Sequence, residues 1–160
     1  EYEGFRAFFG AEYSYAGGHD ILFYGLNREF LYGHPELEGM PVEDICKLLQ
    51  NAGCLVIQAH PFRDREYNDH SVRPELYCAD GAEIFNACNF DEENQKAYDY
   101  AVKYGKIMTS GGDIHNANDG RIGLAGIFTE KPIESIDDLV NILKSGNYSL
   151  CVDGKIKALK

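Results

Sequence analysis

Residues 54–60 read CLVIQAH, an apolar run that stops abruptly at a histidine and is followed by Pro61, Phe62 and Arg63. A continuous run of this kind, Cys54–Ile57 apolar without alternation, describes a strand buried on both faces. Working outward, the reading predicts a helix before this strand, opened by Pro41 and closed at Gly53, with Ile45, Leu48 and Leu49 as its apolar stripe. Downstream it predicts a polar loop over 61–80 and a strand Ala82–Asn86. A helix with acids in its first turn and Gly105 at its end follows, with Ala97, Ala101 and Val102 on one face. Then come a strand Lys106–Thr109, a strand within LAGIFTE (124–130), a helix capped by Ser135, and a closing hairpin in YSLCVDGKIKAL (148–159). Upstream, Phe5–Tyr15 and His19–Leu26 read as two strands joined through Gly17-Gly18, and LYGHPELEGM (31–40) as a loop. Alternation of strands and helices after Gly53 is the pattern of an α/β fold with parallel strands.

The composition places bounds on function. The chain has 160 residues, 44% hydrophobic and 26% charged, which suits one soluble domain with a core. Its net charge of −11 disfavours nucleic acid and anionic membrane as partners. A small anionic substrate stays possible where bound cations reverse the local sign. Five cysteines without C-x-x-C spacing read as reduced thiols rather than a disulfide framework or a thiolate zinc site, which suits the cytoplasm. No run is long and apolar enough to span a bilayer. The chain starts at Glu1 without a methionine and is expected to be a fragment.

Reactive groups in parallel α/β folds collect at the C-terminal ends of strands. There the chain carries Glu12, His60, and TSGGDIH (109–115) with Asp113 and His115, and His19 begins the second strand across the glycine turn from Glu12. These are oxygen and nitrogen donors of the kind that bind Zn²⁺, Mn²⁺ or Fe²⁺. Gly111 and Gly112 would let the backbone turn and approach a ligand closely, and Asp113 and His115 would share a side if that segment is extended. Each residue also has a plainer reading: Glu12 facing solvent, His19 in an exposed turn, His60 packed on its own turn, Asp113 and His115 a solvated pair. Glu83 reads as paired to an arginine or supporting a ligand, and His34 and His70 as surface residues. Arg63, held near His60 by Pro61, offers a planar fork for phosphate; its plainer reading is a surface pair with Asp64 or Glu66.

Taken in order, GAE (10–12), HDILFYGL (19–26), AHPFR (59–63), GAEIFN (81–86), TSGGDIH (109–115) and EKPIESIDDLVNILKSGNY (130–148) resemble the polymerase and histidinol phosphatase (PHP) family. The likeness is greatest to its stand-alone metal-dependent phosphoesterases and runs from Gly10 to about Tyr148. It implies one PHP-like domain over 1–160, the C-terminal portion of a distorted (β/α)7 TIM-like barrel with two or three divalent ions. It implies Glu12, His19, His60, Asp113 and His115 as metal ligands, Glu12, His60 and Asp113 as catalytic, and Arg63 as the contact to a small phosphorylated substrate. The family's opening H-x-H motif has no match here, so N-terminal strands and further ligands are expected upstream of Glu1 or are absent. Two other readings stand beside the hydrolase: a non-catalytic scaffold that has lost its metal centre, and a polymerase-associated proofreading domain, which the acidic charge disfavours.

Overall fold

A computed structural model describes residues 6–159. Phe5, where the first strand was expected to begin, and the domain limits Glu1 and Lys160 lie outside the described residues. Five strands form one sheet in sequence order: β1 (Gly10–Tyr15), β2 (His19–Tyr24), β3 (Leu55–Ala59), β4 (Gly81–Asn86) and β5 (Ile107–Gly111). β2 runs antiparallel to its neighbours β1 and β3, and β3, β4 and β5 run parallel. A separate three-stranded antiparallel sheet holds β6 (Ala125–Phe128), β7 (Ser149–Val152) and β8 (Lys155–Ala158). The α/β class is as expected. The parallel pattern, however, covers only β3–β5, because the strands after β5 pair antiparallel in a sheet of their own. β1 and β5 are the two edges of an open sheet, and the described residues close no barrel.

The run that begins at Cys54 forms β3, buried at every position. On one face lies helix α2 (Val42–Asn51), which buries Ile45, Cys46 and Leu49 against Ile21, Phe23 and Val56. Leu48 is only partly buried, and Cys46 takes its expected place in the stripe. On the other face, Leu55, Ile57 and Ala82 pack with Tyr100 and Ala101 of α3 (Asp91–Tyr104) and with Val140 and Leu143 of α4 (Ile136–Ser145). Tyr100 does what Val102 was expected to do; Val102 is 54% exposed. Both helices stop as read, with Gly105 and Gly146 in the left-handed conformation, and Ser135 Oγ accepts the Asp138 N–H at 3.0 Å.

Two departures matter for the site. A short helix, α1 (Arg28–Gly33), starts ahead of the stretch 31–40 expected as a loop and runs into it, because Asn27 caps it: its Oδ1 accepts the Phe30 N–H at 2.9 Å. A 3₁₀ turn at Pro35–Leu37 follows. The segment from His60 to Asp80 crosses between parallel β3 and β4 without a helix. That crossover leaves His60 at the start of a turn instead of in a ladder.

Candidate metal centre

The hairpin β1–β2 decides which side chains meet. Its register pairs Glu12 with Leu22, Ser14 with Asp20, and Tyr15 with His19. Successive strand residues face opposite sides, so Glu12, Ser14, Asp20 and Leu22 share one face, and His19 lies on the other. Asp20 also pairs across to Ala59, next to His60. The three elements thereby converge, and donor atoms of Glu12, Asp20 and His60 all lie within 4.8 Å of one another. His60 Nε2 is 3.3 Å from Glu12 Oε1 and 3.7 Å from Asp20 Oδ2. Ser14 Oγ donates to Asp20 Oδ1 and fixes that carboxylate.

His60 is aimed by its backbone. It adopts φ 28°, an uncommon conformation for a non-glycine residue. Its N–H donates to Glu83 Oε2 at 2.9 Å, and its carbonyl accepts the Arg63 N–H at 3.1 Å. Glu83 is buried and also accepts from Asn86 Nδ2 at 2.8 Å. Burial raises its carboxyl pKa, against the lowering effect of those two hydrogen bonds. Glu83 therefore holds the turn rather than joining the donor group. The same carboxylate explains Gly111: a Cβ there would sit 1.6 Å from Glu83 Oε1. Gly111 and Gly112 do not need left-handed backbone; that conformation falls on Asp113, with φ 51°.

Asp113 and His115 form a second group. Asp113 Oδ2 is paired with Arg63 Nη2 at 2.7 Å, and its Oδ1 is 3.5 Å from His115 Nδ1. The two heads meet through a turn, since the segment after Gly111 is not a strand. Asp113 is 13% exposed and His115 79%. Burial opposes ionisation of Asp113, but the hydrogen bond and charge of Arg63 outweigh it and hold its pKa below the usual carboxylate range. Arg63 is turned inward. Its Nε donates to Asn89 Oδ1 at 2.8 Å and its Nη2 to Asn86 Oδ1 at 2.9 Å, besides the Asp113 contact. A chain of bonds thus runs from Asp113 through Arg63, Asn86 and Glu83 to the His60 N–H.

Of the five residues read as ligands, the structure brings Glu12 and His60 together and adds Asp20, which the sequence reading passed over. Parity was the available signal: with the hairpin paired Tyr15 to His19, only even-numbered residues of β2 can join Glu12. His19 instead faces Tyr15, with ring centres 5.8 Å apart, and its buried Nε2 has no hydrogen-bond partner among the described residues. Burial lowers its pKa. The donor set of two carboxylates and one imidazole fits one divalent cation with open positions. Among the described residues neither Glu12 nor Asp20 pairs with a lysine or arginine. A cleft of ≈ 750 Å³ lined by Tyr13, Tyr15, Met40, Val42 and Leu76 opens on the α2 side of the sheet and includes none of the three donors.

Comparison with known proteins adds three findings. A family model described as PHP-associated matches residues 91–148. A crystal structure from Bifidobacterium adolescentis, provisionally described as a metal-dependent phosphoesterase, is similar with 16% identity and a TM-score of 0.42. That likeness covers 64% of this chain, which spans 35% of the neighbour's length. No curated protein matches. No helix among the described residues is long and apolar enough to cross a membrane.

Proposed function

We propose, on the PHP-family assignment that the match over residues 91–148 supports, that this chain is the C-terminal portion of a metal-dependent phosphoesterase acting on a small phosphorylated substrate. Glu12, Asp20 and His60 would hold a divalent ion, zinc, manganese or iron. The observation that carries this reading is the convergence of their donor atoms within 4.8 Å, from two strands and the turn after a third, with no arginine or lysine among them. A bound divalent ion supplies Lewis acidity toward a phosphoryl oxygen and makes water easier to deprotonate. The chain's own residues do the rest. Glu83 sets the His60 turn through the His60 N–H. Ser14 fixes the Asp20 carboxylate, which leaves Asp20 Oδ2 on the His60 side.

Asp113 and His115 would serve a second ion once Arg63 lets go of the Asp113 carboxylate. Arg63 would then turn its fork to phosphate, so substrate and Asp113 compete for one guanidinium. Within the proposal, the domain spans 1–160, and the five-stranded sheet is one arc of a distorted (β/α)7 barrel.

The test is elemental analysis of protein purified without chelator, paired with hydrolysis of a generic phosphate monoester. The expected result is divalent metal bound by wild type and lost with Asp20→Asn or His60→Ala, and turnover that follows metal content. Protein that folds but takes up no divalent metal would sink the proposal and leave the non-catalytic module as the better reading.

A further inference from the structure

Away from the donor cluster, two of the five cysteines face each other. Cys46, in the middle of α2, is fully buried. Cys78, in the turn before β4, is half-buried, and the two Sγ atoms are 2.9 Å apart. The turn is pinned where it carries Cys78. Gln50 Nε2, one helical turn past Cys46, donates to the Cys78 carbonyl at 2.8 Å and to Asp80 Oδ1 at 3.0 Å. Lys106 Nζ donates to the flanking carbonyls of Tyr77 at 2.7 Å and Ala79 at 2.5 Å. Asp80 in turn accepts the Val56 N–H at 2.9 Å. Sulfur atoms held this close need move less than about 1 Å to reach disulfide length. The other thiols are placed differently. Cys54 is buried, Cys88 lies against Arg121 and the Gly112 carbonyl, and Cys151 lies against the Gly123 and Leu124 carbonyls.

We infer that Cys46 and Cys78 form a reversible disulfide, a redox modification site that ties α2 to the far end of the His60–Asp80 crossover. The inference does not rest on the metal centre. The two cysteines have distinct parts in the exchange. Cys78, reachable from solvent, attacks a sulfur of a low-molecular-weight disulfide such as oxidised glutathione and expels one thiolate. Cys46 then attacks the Cys78 sulfur of that mixed disulfide and expels the second thiolate. Two protein thiols are oxidised, one external disulfide is reduced to two thiols, and the two protons pass to solvent and the released thiolates. The hydrogen bond between the sulfurs favours this assignment: it lowers the Cys78 thiol, while that bond and burial raise Cys46. Once closed, the bond spans β3 and the His60 turn, so the crossover is held at both ends, by the ladder at Ala59 and by the disulfide at Cys78.

The test equilibrates the purified protein in glutathione buffers from fully reduced to fully oxidised. Samples are quenched in acid, alkylated in denaturant so that buried thiols also react, digested, and mapped by mass spectrometry. In reduced buffer all five cysteines should be alkylated. In oxidised buffer alkylation should disappear from Cys46 and Cys78 together, with one cross-linked peptide joining them. Cys54, Cys88 and Cys151 should remain alkylated, and dithiothreitol should reverse the change. Cys46→Ala should leave Cys78 carrying glutathione. Alkylation of Cys46 and Cys78 that persists in fully oxidised buffer would overturn the inference. So would cross-links scattered over the other cysteines, or glutathione on Cys78 without a cross-link in wild type.

Discussion

Four acids near the C-terminal ends of the central strands divide into two kinds. Glu93 and Asp113 each have an arginine: Arg65 lies 2.6 Å from Glu93, and Arg63 2.7 Å from Asp113. Glu12 and Asp20 have none among the described residues and share the His60 imidazole. Acids with a resident cation are neutralised by the fold and contribute to its stability. Acids without one are held together against their own repulsion by the sheet, and a cation from solution is the natural partner for them. The difference separates acids open to an added cation from acids whose resident cation must first be displaced better than residue type does, since all four are ordinary carboxylates.

The sharpest way to break this contrast is to take the arginine from one side. Arg63→Ala leaves the Asp113 carboxylate largely buried without its cation, and Asn86 and Asn89 lose a donor. Stability should fall by about 3–5 kcal/mol, the cost of breaking a buried pair from one end. Adding Asp113→Asn should recover part of it. Denaturant unfolding of the single and double variants measures both, and a loss under about 1 kcal/mol would return Arg63 to the status of a surface residue. On the other side, Asp20→Asn should leave the fold intact and weaken divalent-metal affinity by at least about a hundredfold, beyond the 10- to 100-fold typical of groups that only support a ligand. Titration calorimetry with Zn²⁺ or Mn²⁺ reads this, and unchanged affinity would remove Asp20 from the centre.

Much of the frame was legible because local chemistry and tertiary packing agree. The apolar run at β3, the Gly105 and Gly146 stops and the Ser135 cap need no knowledge of the rest of the chain. Asn27 as a helix cap was equally local and was passed over in the unassigned stretch between the expected strand 19–26 and the expected loop 31–40. Of the second sheet, the strand at β6 and the β7–β8 hairpin were legible; the pairing of β6 with β7 was not, because strand patterning does not say with which distant partner a strand pairs. The site was legible in part. His60 stands just past the end of β3, which position alone suggests, whereas Glu12 lies inside β1 and not at its end, where it was expected. Asp20 required the hairpin register, in which a shift of one residue exchanges Asp20 for His19. The Arg63–Asp113 pair joins segments far apart in sequence, and nothing local announces it.

A smaller effect tests the neutralised side. Glu93 is 7% exposed at the start of α3 and accepts from Arg65, from the Asp64 N–H at 2.8 Å and from the Phe90 N–H at 2.8 Å. Burial works against its charge, yet these donors hold its pKa below the ordinary value. A lowered folded pKa means stability that is present above the unfolded value, about 4.3 for a glutamate. That stability is lost as the pH falls through the folded value. Glu93→Gln keeps the shape and removes the charge, and should cost about 2 kcal/mol at pH 7. The gap between variant and wild type should narrow on acidification below about pH 4. Unfolding midpoints at neutral and acid pH give the comparison; a gap that does not change with pH would mean that packing, not charge, explains the loss.

The smallest effect is expected at His19, and it tests the face assignment itself. His19 and Asp20 are neighbours in sequence but lie on opposite sides of the sheet, so His19→Phe should leave divalent-metal affinity within about twofold of wild type, as for an independent site. A ring of similar size should still pack beside Tyr15. What should change is the pH profile. Burial lowers the His19 pKa, so the unfolded chain takes up a proton below about pH 6.5 that the folded chain resists. Wild-type stability attributable to His19 is therefore present above that pH and lost as the pH falls toward the folded value. His19→Phe has no such proton to gain, and its stability should decline less than that of wild type on acidification from pH 7 to 5. Metal titration at neutral pH and unfolding across that range measure the two halves separately. A large loss of metal affinity in His19→Phe would place the imidazole on the Glu12 face, shift the β1–β2 register by one residue and undo the separation of the two kinds of acid.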